Sequence, residues 1–239
     1  MSARLLEEAG WLRVPSMLPK AVLQTLPVDA APDVDARGGR DDSDARVPSV
    51  AAAGTRTLLE RAWCAALVAP IRARLHALGV LPADAVAVQC TLFRKTPECN
   101  WKVPYHQDLS VPVANRVDDP GLAGWAAKED GVYVQPPATL LAASLAVRLH
   151  LDPCSVDDGP LRVVPGSHRA GRIEAERIAV IEKRGREVLC DADVGDLILM
   201  RPLLLHASSK ARTPNGRRVL HFLFAPPRPG RGLSWRTTA

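Results

Sequence analysis

The chain has 239 residues, 47% of them hydrophobic and 24% charged. That is ordinary for a folded protein with a sizeable core and excludes a disordered or fibrous chain. The formal charge is +5, but 25 of the 31 basic residues are Arg and none fall in a polybasic run. The clustered footprint of a nucleic-acid binder is therefore missing, and a small acidic ligand suits the charge at least as well.

Residues 1–27 mix apolar and charged residues with Pro15, Pro19 and Pro27 and predict short helical pieces. Their start, M-S-A-R-L-L-E-E-A-G, lacks the apolar stretch of a signal peptide. Residues 28–50 are Asp-rich around Gly38-Gly39 but lack the D-x-D-x-D-G order of a calcium loop. They predict a solvated mobile loop. From Thr57 to Leu78, apolar residues recur at helical spacing, among them Leu58, Leu59, Trp63, Leu67, Ile71 and Leu75. Thr57 and Glu60 have the spacing of a capping box, Pro70 predicts a kink or split, and Gly79 sits where a helix closes. His76 on this helix reads as structural or solvent-facing.

After Pro82 the pattern turns to strands. Residues 85–93 are β-like, and a loop over 94–105 leads to the stretch K-V-P-Y-H-Q-D-L-S-V-P-V. Residues 114–137 hold Pro120, Gly121, Gly124, Gly131, Pro136 and Pro137, which predicts a long irregular insertion suited to a lid. Strands follow at 144–151, 161–164, 187–190, 197–200 and 217–224, with a short helix over 172–182. Short strands, Gly/Pro turns and upstream helices predict a mainly β chain, an antiparallel barrel or jelly roll with helical buttresses, in one domain over residues 1–239. The five cysteines are odd in number and lack a C-x-x-C, so they read as free thiols in a reducing compartment. No apolar run reaches the roughly 18 residues of a membrane span. The expectation is a cytoplasmic protein, monomer or homodimer, with a small-molecule substrate and no nucleic-acid or membrane partner.

In an extended strand, residues i and i+2 share a face, so His106 and Asp108 would aim an imidazole and a carboxylate at one point. That is two-thirds of a 2-His-1-carboxylate iron site. Alone, H-x-D is a common pattern. The best second His is His206, which ends the apolar run L-I-L-M-R-P-L-L-L-H. Eleven residues later come Arg217 and Arg218, either of which could offer a fork to a carboxylate. Alternation leaves the choice open. Arg218 shares a face with Leu220, Phe222 and Phe224, and Arg217 with Val219, His221 and Leu223. The more apolar face could pack on the helices, leaving the more polar one for a site. His168, after the turn P-G-S, reads as structural; His150 and His221 read as strand residues near the site or in its wall.

These pieces, in order, resemble the phytanoyl-CoA dioxygenase family of iron(II)/2-oxoglutarate oxygenases. The resemblance rests on F-R-K-T-P at 93–97, N-W-K-V-P-Y-H-Q-D at 100–108 and D-G-P-L-R-V-V-P-G-S-H-R at 158–169. It continues in G-D-L-I-L-M-R-P-L-L-L-H-A-S-S at 195–209 and R-R-V-L-H-F at 217–222. It covers a little over half the chain and leaves the first 55 residues without support. It implies a double-stranded β-helix of the jelly-roll or cupin type, with the N-terminal helices packed outside. It implies Fe(II) on His106, Asp108 and His206, with 2-oxoglutarate and O2 as cosubstrates. It further implies Arg217 on the distal carboxylate, helped by Ser208, with Thr91 and Lys95 as further contacts. Arg148 falls where some relatives carry an aromatic residue near the cosubstrate, a departure that leaves its role open. Halogenases of this fold have a small residue in place of the carboxylate, so Asp108 points to hydroxylation. Desaturation, cyclisation or epimerisation by the same chemistry are the alternatives, and a non-catalytic cupin-like metal-binding protein is the alternative of another class. Lys102, Gln107, Gln135, Trp125 and Arg169 lie in loops expected to face the cavity and read the substrate.

Overall fold

The computed structural model describes residues 1–16, 18–28, 54–128, 131–184 and 186–239. All but the first residue of the loop expected at 28–50 therefore lies outside the described residues. In chain order the elements are α1 (Ser2–Ala9), β1 (Trp11–Val14), α2 (Lys20–Gln24), β2 (Gly54–Thr55), α3 (Ala62–Ala77), β3 (Val86–Lys95), β4 (Val103–His106), β5 (Val111–Val113) and β6 (Ala123–Lys128). They continue with β7 (Gly131–Gln135), α4 (Ala138–Ala142), β8 (Leu145–His150), β9 (Leu161–Val163), α5 (Ala175–Lys183), β10 (Val188–Cys190), β11 (Leu197–Met200), β12 (His206–Ser208) and β13 (Arg217–Ala225).

Six strands form one antiparallel sheet in the order β1-β11-β8-β13-β3-β2. Side-chain alternation gives this sheet two unlike faces. Val147, Leu149, Leu197, Leu199, Leu220, Phe222 and Phe224 point outward and share a buried cluster with Cys64, Leu67, Ile71 and Leu75 of α3. On the other face, Ala146, Ile198 and Met200 meet Leu161, Val163 and Cys190. The last three belong to a second sheet, ordered β10-β9-β12-β4. Two facing antiparallel sheets with helices outside make a jelly-roll architecture. Among the described strands, hydrogen bonding keeps the sheets separate and closes no barrel. A third sheet, β5-β7-β6, flanks them.

Two local expectations need correction. The Thr57–Leu78 segment is not one helix kinked at Pro70. It starts with a 3-10 turn over Leu58–Glu60, breaks at the extended Arg61, and then runs unbroken through Pro70. Thr57 makes no capping bond with its side chain. An interior proline costs about 3 kcal/mol. Burial of Leu67, Val68, Ile71 and Leu75 around it, at about 1.5–3 kcal/mol per side chain, outweighs that cost. Gly79 closes the segment as expected, at φ +70, with its N–H donating to the His76 carbonyl at 2.8 Å.

The second correction concerns residues 114–137. They are not irregular: they carry the β6–β7 hairpin, whose β7 also pairs with β5 through Val111↔Val134 and Val113↔Val132. Tyr133 and Val134 are buried. Gly124, at φ +58, lies where the pairing register shifts between Ala123 and Ala126. The glycine marks a bulge within a strand, not a loop.

Candidate active site

The second sheet brings two distant histidines together. His106 ends β4, His206 begins β12, and the two are direct antiparallel partners. Their ring centroids are 4.2 Å apart. His106 Nδ1 lies 2.9 Å from the Pro104 carbonyl, and His206 Nδ1 lies 2.9 Å from the Leu204 carbonyl. A carbonyl only accepts, so each Nδ1 carries the proton and each Nε2 offers a lone pair inward. Asp108 lies just past β4 and is tied back by its N–H to the Pro202 carbonyl at 2.9 Å. Its Oδ1 is 3.7 Å from His106 Nε2, and its Oδ2 is 3.8 Å from His206 Nε2. The three potential ligand atoms all lie within 4.8 Å of one another.

Asp108 Oδ2 is buried and has no hydrogen-bond partner. Burial works to raise this carboxyl's pKa, but His206, His221, His106 and Arg148 together hold it below the usual carboxylate value. Burial, aided by His106, lowers His206 to about 4. At neutral pH the cluster thus presents a carboxylate with an orphaned oxygen beside a neutral imidazole, and both histidines have their outer nitrogens fixed. That donor set suits a divalent transition metal.

The triad opens into a cavity of about 390 Å³ that Thr91, Lys95, Ser208 and Arg217 also line. Arg217 starts β13 directly opposite Lys95. Its Nη2 donates to the Gly159 carbonyl at 3.2 Å, while its buried Nε has no partner. Lys95 Nζ donates to the Trp101 carbonyl at 3.0 Å and to the Ser209 carbonyl. Burial, reinforced by Arg217, lowers the lysine to about 8. Arg218 points the other way and forks onto Asp152, with Nε–Oδ2 2.8 Å and Nη2–Oδ1 2.9 Å. Of the two arginines that alternation left open, Arg217 faces the cavity, because the Phe face of β13 is taken up by α3.

The chain matches the model of one protein family, phytanoyl-CoA dioxygenase (PhyH), over residues 6–219. It belongs to that family. No curated protein matches it by sequence. Among solved structures it resembles the non-heme alpha ketoglutarate dependent carbocyclase SnoK from nogalamycin biosynthesis. The TM-score is 0.65 and the identity 15%, over 97% of this chain and 87% of that one. It also resembles AviO1 from Streptomyces viridochromogenes Tue57, with TM-score 0.62 and 18% identity over 95% and 94% of the two chains. HygX from Streptomyces hygroscopicus, solved with nickel and 2-oxoglutarate bound, gives TM-score 0.58 and 14% identity over 93% and 85%. At these identities the likeness is one of fold.

The residues expected to read the substrate of this PhyH-family chain do not line the cavity. Lys102 is exposed. Gln107 points away from the triad, donating to the Gly171 and Leu203 carbonyls at 2.8 and 2.6 Å and accepting from Ile173 N at 2.8 Å. It clasps the loops behind the site, as strand alternation beside His106 requires. Gln135 accepts from Arg172 Nη1 at 3.1 Å, and the Trp125 ring lies 5.5 Å from the Arg116 guanidinium. Pairing within the β6–β7 hairpin directs both away. Arg169 is exposed in a 3-10 turn over Ser167–Ala170. His168, in the same turn, lies with Nε2 3.0 Å from the Glu7 carbonyl, a structural contact as expected.

The cavity holds others instead, notably Arg148, His221, Phe93 and Gln89. His221 and Arg148 are direct partners across β13 and β8. Arg148 Nη1 lies 3.2 Å from His221 Nδ1, and His221 Nε2 lies 3.8 Å from Asp108 Oδ2. A guanidinium only donates, so His221 accepts at Nδ1 and carries its proton on Nε2, facing Asp108. This makes it a poor fourth ligand. The signal for these residues was present in strand parity: once Arg217 faces inward, so does His221.

Proposed function

We propose that the chain is one iron(II)- and 2-oxoglutarate-dependent oxygenase domain that hydroxylates a C–H bond of a small molecule. One observation carries this reading. An ionised Asp108 whose Oδ2 lacks a hydrogen-bond partner sits beside two inward-facing imidazoles, in the same cavity as a buried arginine whose Nε is unused. His106, Asp108 and His206 would hold the metal. Arg217 would take the distal carboxylate of 2-oxoglutarate through its free Nε edge, with Lys95 adding charge and Ser208 and Thr91 adding hydroxyls. Bound iron supplies O2-dependent oxidation of a C–H bond, coupled to decarboxylation of 2-oxoglutarate to succinate.

The protein's own contribution is placement. The carbonyls of Pro104 and Leu204 fix the imidazoles, and Pro202 anchors the backbone of Asp108. Apolar walls from Phe93, Leu161 and Leu223 exclude water from the reacting carbon. Lys128, at the end of β6, also lines the cavity, which supports the β6–β7 hairpin as its lid. Asp108 occupies the ligand position that a halide would need, which favours hydroxylation. The fold shared with a carbocyclase supports ring formation as the second reading.

The test is anaerobic binding of Fe(II) and 2-oxoglutarate, followed by succinate release on admitting O2 and a screen of metabolites for the gain of one oxygen. A cupin-like binding protein would bind metal and release no succinate. Product masses lower by two hydrogens would favour desaturation or cyclisation over hydroxylation.

A further inference from the structure

The cavity carries more positive charge than the proposed metal and cosubstrate use. Arg56, Lys95, Arg148 and Arg217 line it, and among the described residues that line it Asp108 is the one acidic group. A divalent metal and a dianionic cosubstrate cancel one another, so binding both leaves an excess of three positive charges in place. In the proposed site each carboxylate of 2-oxoglutarate would have a partner, the metal held by the triad for one and Arg217 with Lys95 for the other.

Arg148 is then the cation left over at the reaction centre. It is 9% exposed, and its Nε is buried without a hydrogen-bond partner. Among the described residues its guanidinium makes one hydrogen-bond contact, Nη1 to His221. Its guanidinium carbon lies 5.5 Å from the centroid of the Phe93 ring, a cation–π contact. Strand register puts it level with His221 beside the triad, and Arg217 is the other cation that acts on it most strongly. Arg148 pairs with His221, whereas Arg217 is two inward-facing positions further along β13. A buried guanidinium with an unused edge is a poor structural element and a ready carboxylate fork.

Building on the oxygenase reading, we propose that the substrate is an organic acid and that Arg148 binds its acid group beside the metal. Arg56 draws the anion toward the cavity. The acid group is thereby fixed next to the metal site, so oxidation falls on a carbon a few bonds from it.

The experiment uses the full chain with Fe(II) and saturating 2-oxoglutarate under anaerobic conditions. Binding is measured by calorimetry for matched acid and primary-amide pairs: benzoate and benzamide, hexanoate and hexanamide, 3-phenylpropionate and 3-phenylpropionamide. In at least one pair the acid should bind about tenfold or more tightly than the amide, and Arg148→Gln should bring that pair to within about twofold, the fold-changes expected for one charge-assisted hydrogen-bonded contact. Arg148→Lys should keep part of the preference. If no pair shows an acid preference in the wild type, the proposal is overturned. It is also overturned if Arg148→Gln weakens 2-oxoglutarate as strongly as Arg217→Gln does, since Arg148 would then belong to the cosubstrate. Failure of the wild type to bind 2-oxoglutarate with Fe(II) would instead sink the oxygenase reading, and is seen before any acid is added.

Discussion

Arg217 and Arg218 are adjacent in sequence and opposite in circumstance. Arg218 lies on the outer side of the large sheet, half-buried and doubly bonded to Asp152. Arg217 lies on the inner side, buried with an orphaned Nε. The contrast extends along the whole of β13. Leu220, Phe222 and Phe224 outside are fully buried against α3, while His221 inside is pushed to about 3 by burial and kept neutral. The outer face gains stability from packing. The inner face spends part of it on polar groups whose partners would arrive with the ligands, as functional sites commonly do.

The sharpest way to break this comparison is at the triad. Asp108→Ala should reduce succinate formation to background and abolish tight Fe(II) binding. The melting temperature of the metal-free protein should fall only modestly, because the histidines and Arg148 lose their counter-charge while no hydrogen bond of the Asp108 Oδ2 is lost. Full turnover with normal iron loading in this variant would remove Asp108 from the ligand set. The outer face should respond in the opposite sense. Phe222→Ala should destabilise by about 3–5 kcal/mol, read by denaturant unfolding, through the cavity it leaves against α3. The protein that remains folded should bind 2-oxoglutarate as before.

The neighbouring arginines provide a finer test. Arg217→Gln should weaken 2-oxoglutarate by about 10-fold to 100-fold, the range for losing hydrogen bonds to a charged group. Arg218→Gln should leave that affinity unchanged and affect only stability, through its pair with Asp152. Titrating both variants with 2-oxoglutarate in the presence of Fe(II) would decide. Equal losses would mean that the two faces are not functionally distinct.

What the sequence made legible follows the same division. His106, Asp108 and His206 could be read because period-two spacing and apolar flanks say where a strand aims its side chains. The choice of Arg217 over Arg218 could not be made from hydrophobicity alone. In a two-layer fold both faces are buried, and the more apolar face goes to the helix. The substrate-facing residues were misread for a related reason. Gln107 is near His106 in sequence but on the opposite parity, and Gln135 and Trp125 follow a hairpin hidden by its Gly and Pro content. Burial of Tyr133 and Val134, a tertiary effect, outweighs the turn propensity of Gly124 and Gly131.

The smallest predicted effect lies in Lys95, which responds to pH with opposite signs in binding and in stability. Burial and Arg217 lower it to about 8, against an ordinary value of 10.5. Its charge is present below pH 8 and is lost as pH rises through that value. An anion held by Lys95 and Arg217 needs the charge, so the affinity for 2-oxoglutarate should fall above pH 8, approaching about tenfold per pH unit at the limit. Folding stability runs the other way. Between pH 8 and 10.5 the unfolded chain holds the lysine proton and the folded one does not, so this group makes the ligand-free protein more stable as pH rises. Lys95→Met should flatten both profiles relative to wild type, and it should bind 2-oxoglutarate less tightly at pH 7. Parallel affinity and melting curves between pH 7 and 9.5 would show the two slopes. If the 2-oxoglutarate affinity of the wild type were flat over that range, Lys95 would be a support for the Trp101 and Ser209 carbonyls and no part of the anion site.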